Sequence, residues 1–388
     1  MEETSIRFSL LRGQDDSRLT KSYRLNDRGG ICKTNTPNFA RGTAETICLE
    51  KLSEIEGTIN DLGTNECIAT GVFDSTPCDI VTSSMLDNDS LATGVRSRTK
   101  QHMQQPSLGI ALLDHDISPD MPDHLRCDSP DALMSKLQAA VPGLGLVSYS
   151  GAGSCSSGIT VTATGESYKG GGLHVYITIR DVDPDVLRRY LVVHLWINGL
   201  GYIAFARNGA MLERCIIDLA VLSPERLIYE ADPILGEGLS RSLREWQHRD
   251  GTEFSGDLNL TNDEIVEYER LVASAKAAPE NKAKAEELAA AHHESRVDAL
   301  AKHKSISRED ADKLIPKQTP AERDGRECLL SPNDIIEING NKILVSELLE
   351  RGREFDNQAM PDPVEGSDYG VTTAMFFFND GKAPCIHS

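Results

Sequence analysis

Residues 109–116, with the sequence GIALLDHD, decide how the rest of this chain is interpreted. They form an apolar run that ends in two aspartates separated by one residue. An apolar run of this length, flanked by turn-favouring residues, predicts a buried strand. Because side chains alternate along a strand, Asp114 and Asp116 are predicted to share one face, and His115 to lie on the other. Their Cα atoms would be roughly 7 Å apart, close enough for both carboxylates to approach one hard cation.

The same pair also has a plainer interpretation, because Asp-x-Asp is common in turns and on surfaces. Two carboxylates at the end of an apolar strand would nevertheless repel each other and raise each other's pKa unless a cation neutralises them. The choice between surface turn and metal site therefore depends on what the rest of the chain supplies.

Composition narrows the class of protein. The chain has 388 residues, of which 39% are hydrophobic, so it can bury a catalytic domain and something more. Its net charge of −20 argues against a protein that coats nucleic acid through a general basic surface, although a local basic channel stays possible. No apolar run is as long as a membrane span, so no membrane partner is expected. Nine cysteines without a Cys-x-x-Cys pair favour a reducing cytoplasm over a disulfide framework.

A second polar strand is predicted at residues 167–179, SYKGGGLHVYITI. A glycine run leads into a strand on which His174 and Tyr176 share a face. Glycines permit close backbone approach of a ligand, and their N–H groups bind anions. His174 is either a satisfied structural residue or, together with Lys169 and the glycines, part of a phosphate site. The run is not a Walker loop, since the Gly-Lys-Ser/Thr ending is missing.

A third carboxylate, Asp218, lies in residues 214–221, RCIIDLAV, which are predicted to form a buried strand. A carboxylate in such a strand is unfavourable unless it is paired or bound to metal. It could pair with Arg214 or Arg226, or it could be a third metal ligand. The order of the strands favours the ligand.

The basic segment 95–100, VRSRTK, precedes the first aspartates and carries Arg96, Arg98 and Lys100. A charge run of this kind is either a solvated face or, beside a carboxylate site, a place for substrate phosphates.

Taken together, these elements resemble the archaeo-eukaryotic primase superfamily, in the primase-polymerase branch found on plasmids, phages and integrated elements. The matching residues are Asp114 and Asp116, then the segment 172–174, GLH, and then 216–218, IID. The segments 95–100 and 223–230 also look similar to their family counterparts. One departure is Gly172, where serine is usual, so a serine contact to phosphate would be absent or replaced by backbone N–H.

The resemblance implies an α+β fold with an RRM-like catalytic core, a mixed or antiparallel sheet and a helical C-terminal module. It implies a template-dependent nucleotidyltransferase, a DNA primase or DNA polymerase of a mobile genetic element, acting in the cytoplasm of a bacterial or archaeal host. Asp114, Asp116 and Asp218 would hold Mg²⁺ or Mn²⁺. The nucleotide-binding residues would be His174, Lys169, Gly172, Arg98, Lys100 and Arg226. Partners would be single-stranded DNA template, nucleoside triphosphates and a helicase domain or subunit.

Composition shifts divide the chain into four expected segments. Residues 1–40 are expected to be an irregular lead-in with at most one short strand, at residues 5–10. Residues 41–250 are expected to be the catalytic domain, with an amphipathic helix at 43–62. A charged, alanine-rich helical module follows at 257–330, broken at Pro279. Residues 331–388 form a small α/β segment resembling the region that precedes a helicase domain.

Two other functions stay open at this point. A metal-dependent glycosyltransferase could use Asp-x-Asp to hold a nucleotide-sugar, without a template. A non-catalytic origin-binding or helicase-loading module could keep the fold and bind DNA without divalent metal.

Overall fold

The computed structural model describes residues 4–14, 17–35, 39–86, 93–168, 170–324, 330–379 and 382–388. The chain divides into two compact units. Unit 1 comprises Met1–Tyr202 and Arg214–Leu271, and unit 2 comprises Ile203–Glu213 and Val272–Ser388.

The strands are β1 (Ile6–Gly13), β2 (Ser22–Leu25), β3 (Ile31–Asn35), β4 (Arg41–Leu49), β5 (Glu66–Ala69), β6 (Val72–Phe73), β7 (Cys78–Val81), β8 (Arg96–Ser97), β9 (Met103–Gln104), β10 (Leu108–His115), β11 (Tyr149–Gly153), β12 (Ile159–Val161), β13 (Leu173–Arg180), β14 (Gly201–Phe205), β15 (Met211–Cys215), β16 (Ile234–Leu235), β17 (Leu239–Arg241), β18 (Gln247–Arg249), β19 (Ile335–Ile338), β20 (Asn341–Leu344), β21 (Gln358–Met360), β22 (Ala374–Phe377) and β23 (Cys385–His387).

The α-helices are α1 (Ile55–Asn60), α2 (Pro130–Ala140), α3 (Pro184–Ile197), α4 (Asn262–Ala277), α5 (Pro279–Lys304), α6 (Arg308–Leu314), α7 (Pro320–Asp324) and α8 (Val345–Glu350). The protein is therefore α+β, as the sequence predicts. Among the described residues, no helix combines the length and the apolar character needed to cross a membrane.

The main sheet of unit 1 is mixed. Its strand order is β18-β11-β13-β10-β1-β4-β7-β8, and β5 also pairs with β1. β10 and β13 are antiparallel neighbours, and β1 runs parallel to β10. All eight residues of β10 are buried, as expected for a strand in the middle of a sheet.

The N-terminal segment corrects one expectation. Residues 1–40 are not an irregular lead-in, because β1 occupies the centre of the sheet and β2 and β3 form a separate hairpin. Phe8 and Leu11 of β1 are completely buried. The short strand considered at residues 5–10 is present as β1, but it is longer than expected and lies in the middle of the sheet.

The helix expected at residues 43–62 is also wrong over its first half. Residues 41–49 form β4, and only Ile55–Asn60 is α-helical. Ile47 and Leu49 are two residues apart, so they lie on the same face of a strand, while Leu52, Ile55 and Ile59 follow helical spacing. All five contribute to one core cluster, and the combined pattern imitates a single long amphipathic helix.

Two helices begin where the sequence places their N-caps. Ser129 accepts a hydrogen bond from Ala132 N at the start of α2, and Asp183 accepts bonds from Asp185 N and Val186 N at the start of α3. Both helices have proline at the first turn, where a missing N–H is harmless. α2 packs against β11 and β13 and so supports the strand that carries His174.

Unit 2 joins two segments that the sequence analysis treats separately. The predicted helical break occurs at Pro279, between α4 and α5. Leu344, at the end of β20, packs with Val297 and Leu300 of α5 in one cluster. Residues 331–388 therefore share a core with the preceding helices.

Candidate functional site

The site is centred on the antiparallel pair β10 and β13, where Asp114 lies directly opposite His174. The distance from His174 Nε2 to Asp114 Oδ1 is 3.5 Å. Residues in register on adjacent strands have neighbouring side chains on one face, so this contact follows from the register of the sheet. The register therefore brings together two of the residues that the sequence analysis singles out.

Backbone bonds bring Asp218 to the same end of β10. Asp218 N donates to Asp114 O over 2.7 Å. His115 lies on the opposite face from Asp114, as predicted, and its Nδ1 donates to Ile216 O over 2.6 Å. Its Nε2 accepts from Cys127 N, so both ring nitrogens are satisfied in the neutral form. Burial lowers the pKa of His115 and favours that form.

The environment of Asp218 differs from the predicted one. Asp218 is exposed and follows the end of β15 at Cys215, rather than lying inside a buried strand. Its Oδ1 accepts from Ala220 N over 2.9 Å and so caps a 3-10 helix at Leu219–Leu222. Aspartate favours such cap positions, which explains the strand break after an apolar run. Arg226, one of its two predicted ion-pair partners, donates instead to Ala220 O.

Asp114 is the buried carboxylate of this site. Its side chain is 12% exposed, and Oδ1 has no hydrogen-bond partner among the described residues. Burial raises the pKa of Asp114 to about 6; the positive charge of His174 opposes this effect, and the negative charges of Asp116 and Asp218 add to it. The three carboxylates are therefore close enough to act on one another electrostatically.

Glu230 organises the other side of His174. Its Oε1 accepts hydrogen bonds from His174 Nδ1 at 2.6 Å and from Tyr176 Oη at 2.5 Å. Its Oε2 accepts from Arg244 Nη1 at 2.8 Å. A carboxylate only accepts, so His174 Nδ1 carries a proton and Nε2 faces Asp114.

These contacts set the charge of the cluster. Burial alone would lower the pKa of His174, but the negative charges of Glu230 and Asp114 outweigh it and raise the pKa to about 9. Burial alone would raise the pKa of Glu230, but His174 and Arg244 lower it to about 2. At neutral pH the cluster thus holds an imidazolium beside two carboxylates.

Gly172 lies against Asp116. A Cβ atom at residue 172 would be 2.4 Å from Asp116 Oδ1 and 2.6 Å from His115 O. Any side chain at residue 172 would have to displace the Asp116 carboxylate and the His115 backbone carbonyl, so this position requires glycine. The Gly172 N–H donates to Ser154 Oγ at 3.2 Å, so the predicted use of this N–H for phosphate is not supported.

Lys21 is a cation of the site that sequence patterning does not identify. It is half-buried, and its Nζ donates to Ser156 Oγ over 3.0 Å. Burial alone would lower its pKa, but neighbouring acidic groups raise it. Those groups are Cys155, Tyr23, Asp116 and Asp114.

The cations predicted from residues 95–100 make other contacts. Arg96 pairs with Asp74 at 2.6 Å, and Lys100 pairs with Asp185 at 2.8 Å. Arg98 Nη1 donates to Glu225 O at 3.1 Å.

Two further predicted cations remain. Arg226 is exposed and donates to Ala220 O at 3.5 Å, which places it beside the turn that Asp218 caps. Lys169 lies outside the described residues.

A cleft of about 360 Å³ borders this cluster. Its walls include Ile117, Ser157, Gly172 and Arg244. The volume is within the range of small-molecule sites. The buried Arg244 and the polar loop at Ser157 give the cleft both a cation and hydroxyl donors.

The donor set suits a hard divalent cation. Asp114 Oδ1 is a buried acceptor without a donor, and carboxylates favour Mg²⁺ or Mn²⁺ over zinc. Within the described ranges, no group of three His, Cys, Asp or Glu side chains forms a metal cage by itself. The structure therefore does not gather Asp114, Asp116 and Asp218 into a three-ligand metal group, and a metal at this site would need further ligands such as water or substrate phosphates.

Sequence reasoning missed Glu230, Arg244 and Lys21. Glu230 carries a signal, since it ends the apolar run 227–230 and a buried carboxylate requires partners. No local sequence pattern marks Lys21 or Arg244, because both reach the site only through long-range folding of the chain.

Comparison with known proteins gives no relative for this chain: no family model, curated protein or solved structure matches it.

Proposed function

We propose that this protein is a template-dependent nucleotidyltransferase, a DNA primase or DNA polymerase of a mobile genetic element. Unit 1 would be an RRM-like primase-polymerase core that uses single-stranded DNA as template and nucleoside triphosphates as substrates. The observation that carries the proposal is the register of β10 and β13. It sets Asp114, with a buried and unpartnered Oδ1, opposite a protonated His174, while Asp218 is hydrogen-bonded to the Asp114 backbone.

Asp114, Asp116 and Asp218 are the residues that would hold Mg²⁺ or Mn²⁺. When bound, such ions activate the attacking 3′ hydroxyl and stabilise the charge on the transferred phosphate. Asp114 is the fixed ligand, because it is buried and held in the sheet. Asp116 and Asp218 are exposed, so their carboxylates can adjust to the substrate.

His174 would bind the phosphates of the incoming nucleotide. Its Nε2 carries a proton when the ring is charged, and a charge-assisted bond to a phosphate oxygen is stronger than a neutral one. Glu230 fixes the ring through Nδ1, and Arg244 and Lys21 add positive charge beside it. This cluster offers cations to the triphosphate where the chain as a whole is acidic.

The test is incorporation of labelled nucleotide on a single-stranded template, with and without a primer, in Mg²⁺ or Mn²⁺. Asp114→Asn should lower the rate at least about a hundredfold, as expected for loss of a metal ligand at a reacting centre. Asp79→Asn, an exposed carboxylate on β7, is the matched control and should retain the wild-type rate.

The same experiment separates the other functions. Template binding without product, unaffected by chelation of metal, would favour an origin-binding or helicase-loading module. Metal-dependent hydrolysis or transfer of a nucleotide-sugar, with no need for template, would favour a glycosyltransferase. Stimulation of a helicase added in trans would support a helicase partner.

A further inference from the structure

Unit 2 contains a cleft of about 320 Å³ that the nucleotidyl-transfer proposal does not use. Helix α5 contributes His292, His293 and Arg296 to its wall, and the chain from Lys317 to Arg323 contributes the opposite side. The cleft is large enough for a small ligand. Its basic residues outnumber its two carboxylates, Glu286 and Glu294, and Glu294 is paired with Arg308, which lies outside the lining. The whole chain, by contrast, has a net charge of −20.

Arg323 is a buried cation in this lining. The residue is 7% exposed, and its Nη1 donates to Ala285 O at 3.1 Å. Its Nε is buried and lacks a hydrogen-bond partner, and within the described ranges no carboxylate pairs with the guanidinium. An uncompensated buried charge is strongly unfavourable, so this arrangement calls for an anion.

His293 supplies a second buried group without a partner. It is 7% exposed, and its Nε2 lies 2.8 Å from Asp312 Oδ1. Asp312 therefore accepts from Nε2–H, and Nδ1 is left buried with no partner in the described part of the chain. Nδ1 offers a lone pair when the ring is neutral and an N–H when it is charged.

The surrounding charges make the cleft electropositive. Burial and the positive charges of Arg296, Arg207 and His293 together lower the pKa of His292 to about 4, against an opposing effect of Asp334. Arg296 itself is compensated by two bonds to Asp334, at 2.6 and 2.9 Å. Arg323, in contrast, forms no ion pair with a carboxylate among the described residues.

We propose that this cleft binds the phosphate group of a small phosphorylated molecule, with Arg323 and His293 as its principal ligands and Lys317 at the rim. The site is separate from the proposed transferase centre and does not depend on it. Phosphate fits better than carboxylate for two reasons. A tetrahedral phosphate accepts bonds from donors on different segments, and its monoanion also has an O–H that can donate to a neutral His293 Nδ1.

Calorimetric titration of the full-length protein tests the site, with inorganic phosphate and AMP as probes and succinate at equal ionic strength as the carboxylate control. Phosphate and AMP should bind at one site, and succinate should bind at least about tenfold more weakly. Arg323→Gln should weaken phosphate binding about 10- to 100-fold, as expected for a charged hydrogen bond. Equal affinity for phosphate and AMP would mean that the cleft recognises only the phosphate group. Tighter binding of AMP would mean that the cleft also contacts the nucleoside.

Two control variants show whether a loss of phosphate affinity is specific to the cleft. Arg351→Gln removes an exposed arginine of unit 2 that does not line the cleft, and Lys302→Gln removes an exposed lysine of α5 that does not line it either. Both should leave phosphate affinity within about twofold, as expected for exposed or distant charges. If Arg323→Gln fails to fold, Lys317→Gln at the exposed rim should still weaken binding about two- to fivefold.

A second measurement locates the phosphate. In an NMR titration, saturating phosphate should raise the pKa of His292, because an anion in the cleft stabilises its charged form. Absence of phosphate binding to the wild type, or unchanged affinity in both cleft variants, would overturn the proposal.

Discussion

His174 Nδ1 lies 2.6 Å from Glu230 Oε1, and the Glu230 side chain is only 1% exposed. This pair fixes both the tautomer and the direction of the imidazole, because the carboxylate can only accept a hydrogen bond. Glu230, 56 positions later in the chain, therefore holds the His174 ring through Nδ1, so that Nε2 faces Asp114.

Replacement of Glu230 tests that relationship. Glu230→Gln removes the nearest negative charge, so the pKa of His174 should fall from about 9 towards or below its usual range. Titration of the His174 ring protons by NMR measures the change. Glu237→Gln, an exposed carboxylate on a nearby loop, should leave the pKa of His174 in place. An unchanged value in Glu230→Gln would contradict the positioning role.

The same pair predicts how stability depends on pH. The pKa of His174 is raised in the folded state, so its contribution is complete below about pH 6.5 and is lost as the pH rises through about 9. The pKa of Glu230 is depressed, so its contribution is complete above about pH 4.5 and is lost as the pH falls through about 2. In urea unfolding, the difference in stability between the wild type and Glu230→Gln, in which the other titrating groups largely cancel, should therefore show its plateau between these limits and should decrease on the alkaline side.

The Asp114 carboxylate is expected to lower the stability of the metal-free protein, although the proposed function requires it. Its pKa is raised to about 6, so the ionised carboxylate destabilises the metal-free protein above that pH. Asp114→Asn should raise the free energy of unfolding at pH 8 by roughly 1–3 kcal/mol without divalent metal, measured by urea titration. Mn²⁺ should stabilise the wild type and have little effect on the variant. A variant less stable than the metal-free wild type would argue that Asp114 is a structural residue.

Gly172 is predicted to tolerate no side chain. In Gly172→Ala the new Cβ would meet Asp116 Oδ1 and His115 O, so the free energy of unfolding should fall by about 1–3 kcal/mol. Gly57→Ala is a suitable control, since nothing lies within 4 Å of its Cβ position and it is in helix α1. That control should gain about 0.5–1 kcal/mol. Thermal unfolding of both variants measures the contrast.

The basic residues should divide into two groups in a DNA- or nucleotide-binding assay. Lys100 is exposed and already paired with Asp185, so Lys100→Gln should change affinity by less than about twofold. Lys21 is half-buried beside Asp114 and Asp116, so Lys21→Gln should weaken nucleoside triphosphate binding about tenfold. Fluorescence titration measures both affinities. A larger loss of affinity in Lys100→Gln than in Lys21→Gln would place the binding site at residues 95–100 instead.

The sequence predicts best what depends on neighbours along the chain. The apolar run 109–116 and the alternation around His174 indicate two strands directly, and Ser129 and Asp183 mark the helix starts. The environment of Asp218 is harder to predict, because an apolar run followed by aspartate fits both a buried strand and a capped turn. Glu230, Arg244 and Lys21 could not be assigned a role, since their contacts span the whole of unit 1 and only the folded chain brings them together.

The central position of β1 has a consequence for how the protein folds during synthesis. Arg7 of β1 is aligned with Gly109 of β10, its parallel partner, which is made about 100 residues later. β4 and β5 are available earlier, so β1 can first form an antiparallel sheet with them. Phe8, which packs in one cluster with Ile110 and Leu112 of β10, must stay partly exposed to water or to other chains until β10 arrives. Long-range pairing of this kind is slow, so we expect the half of the sheet that carries Asp114 and His174 to be the last to form in unit 1.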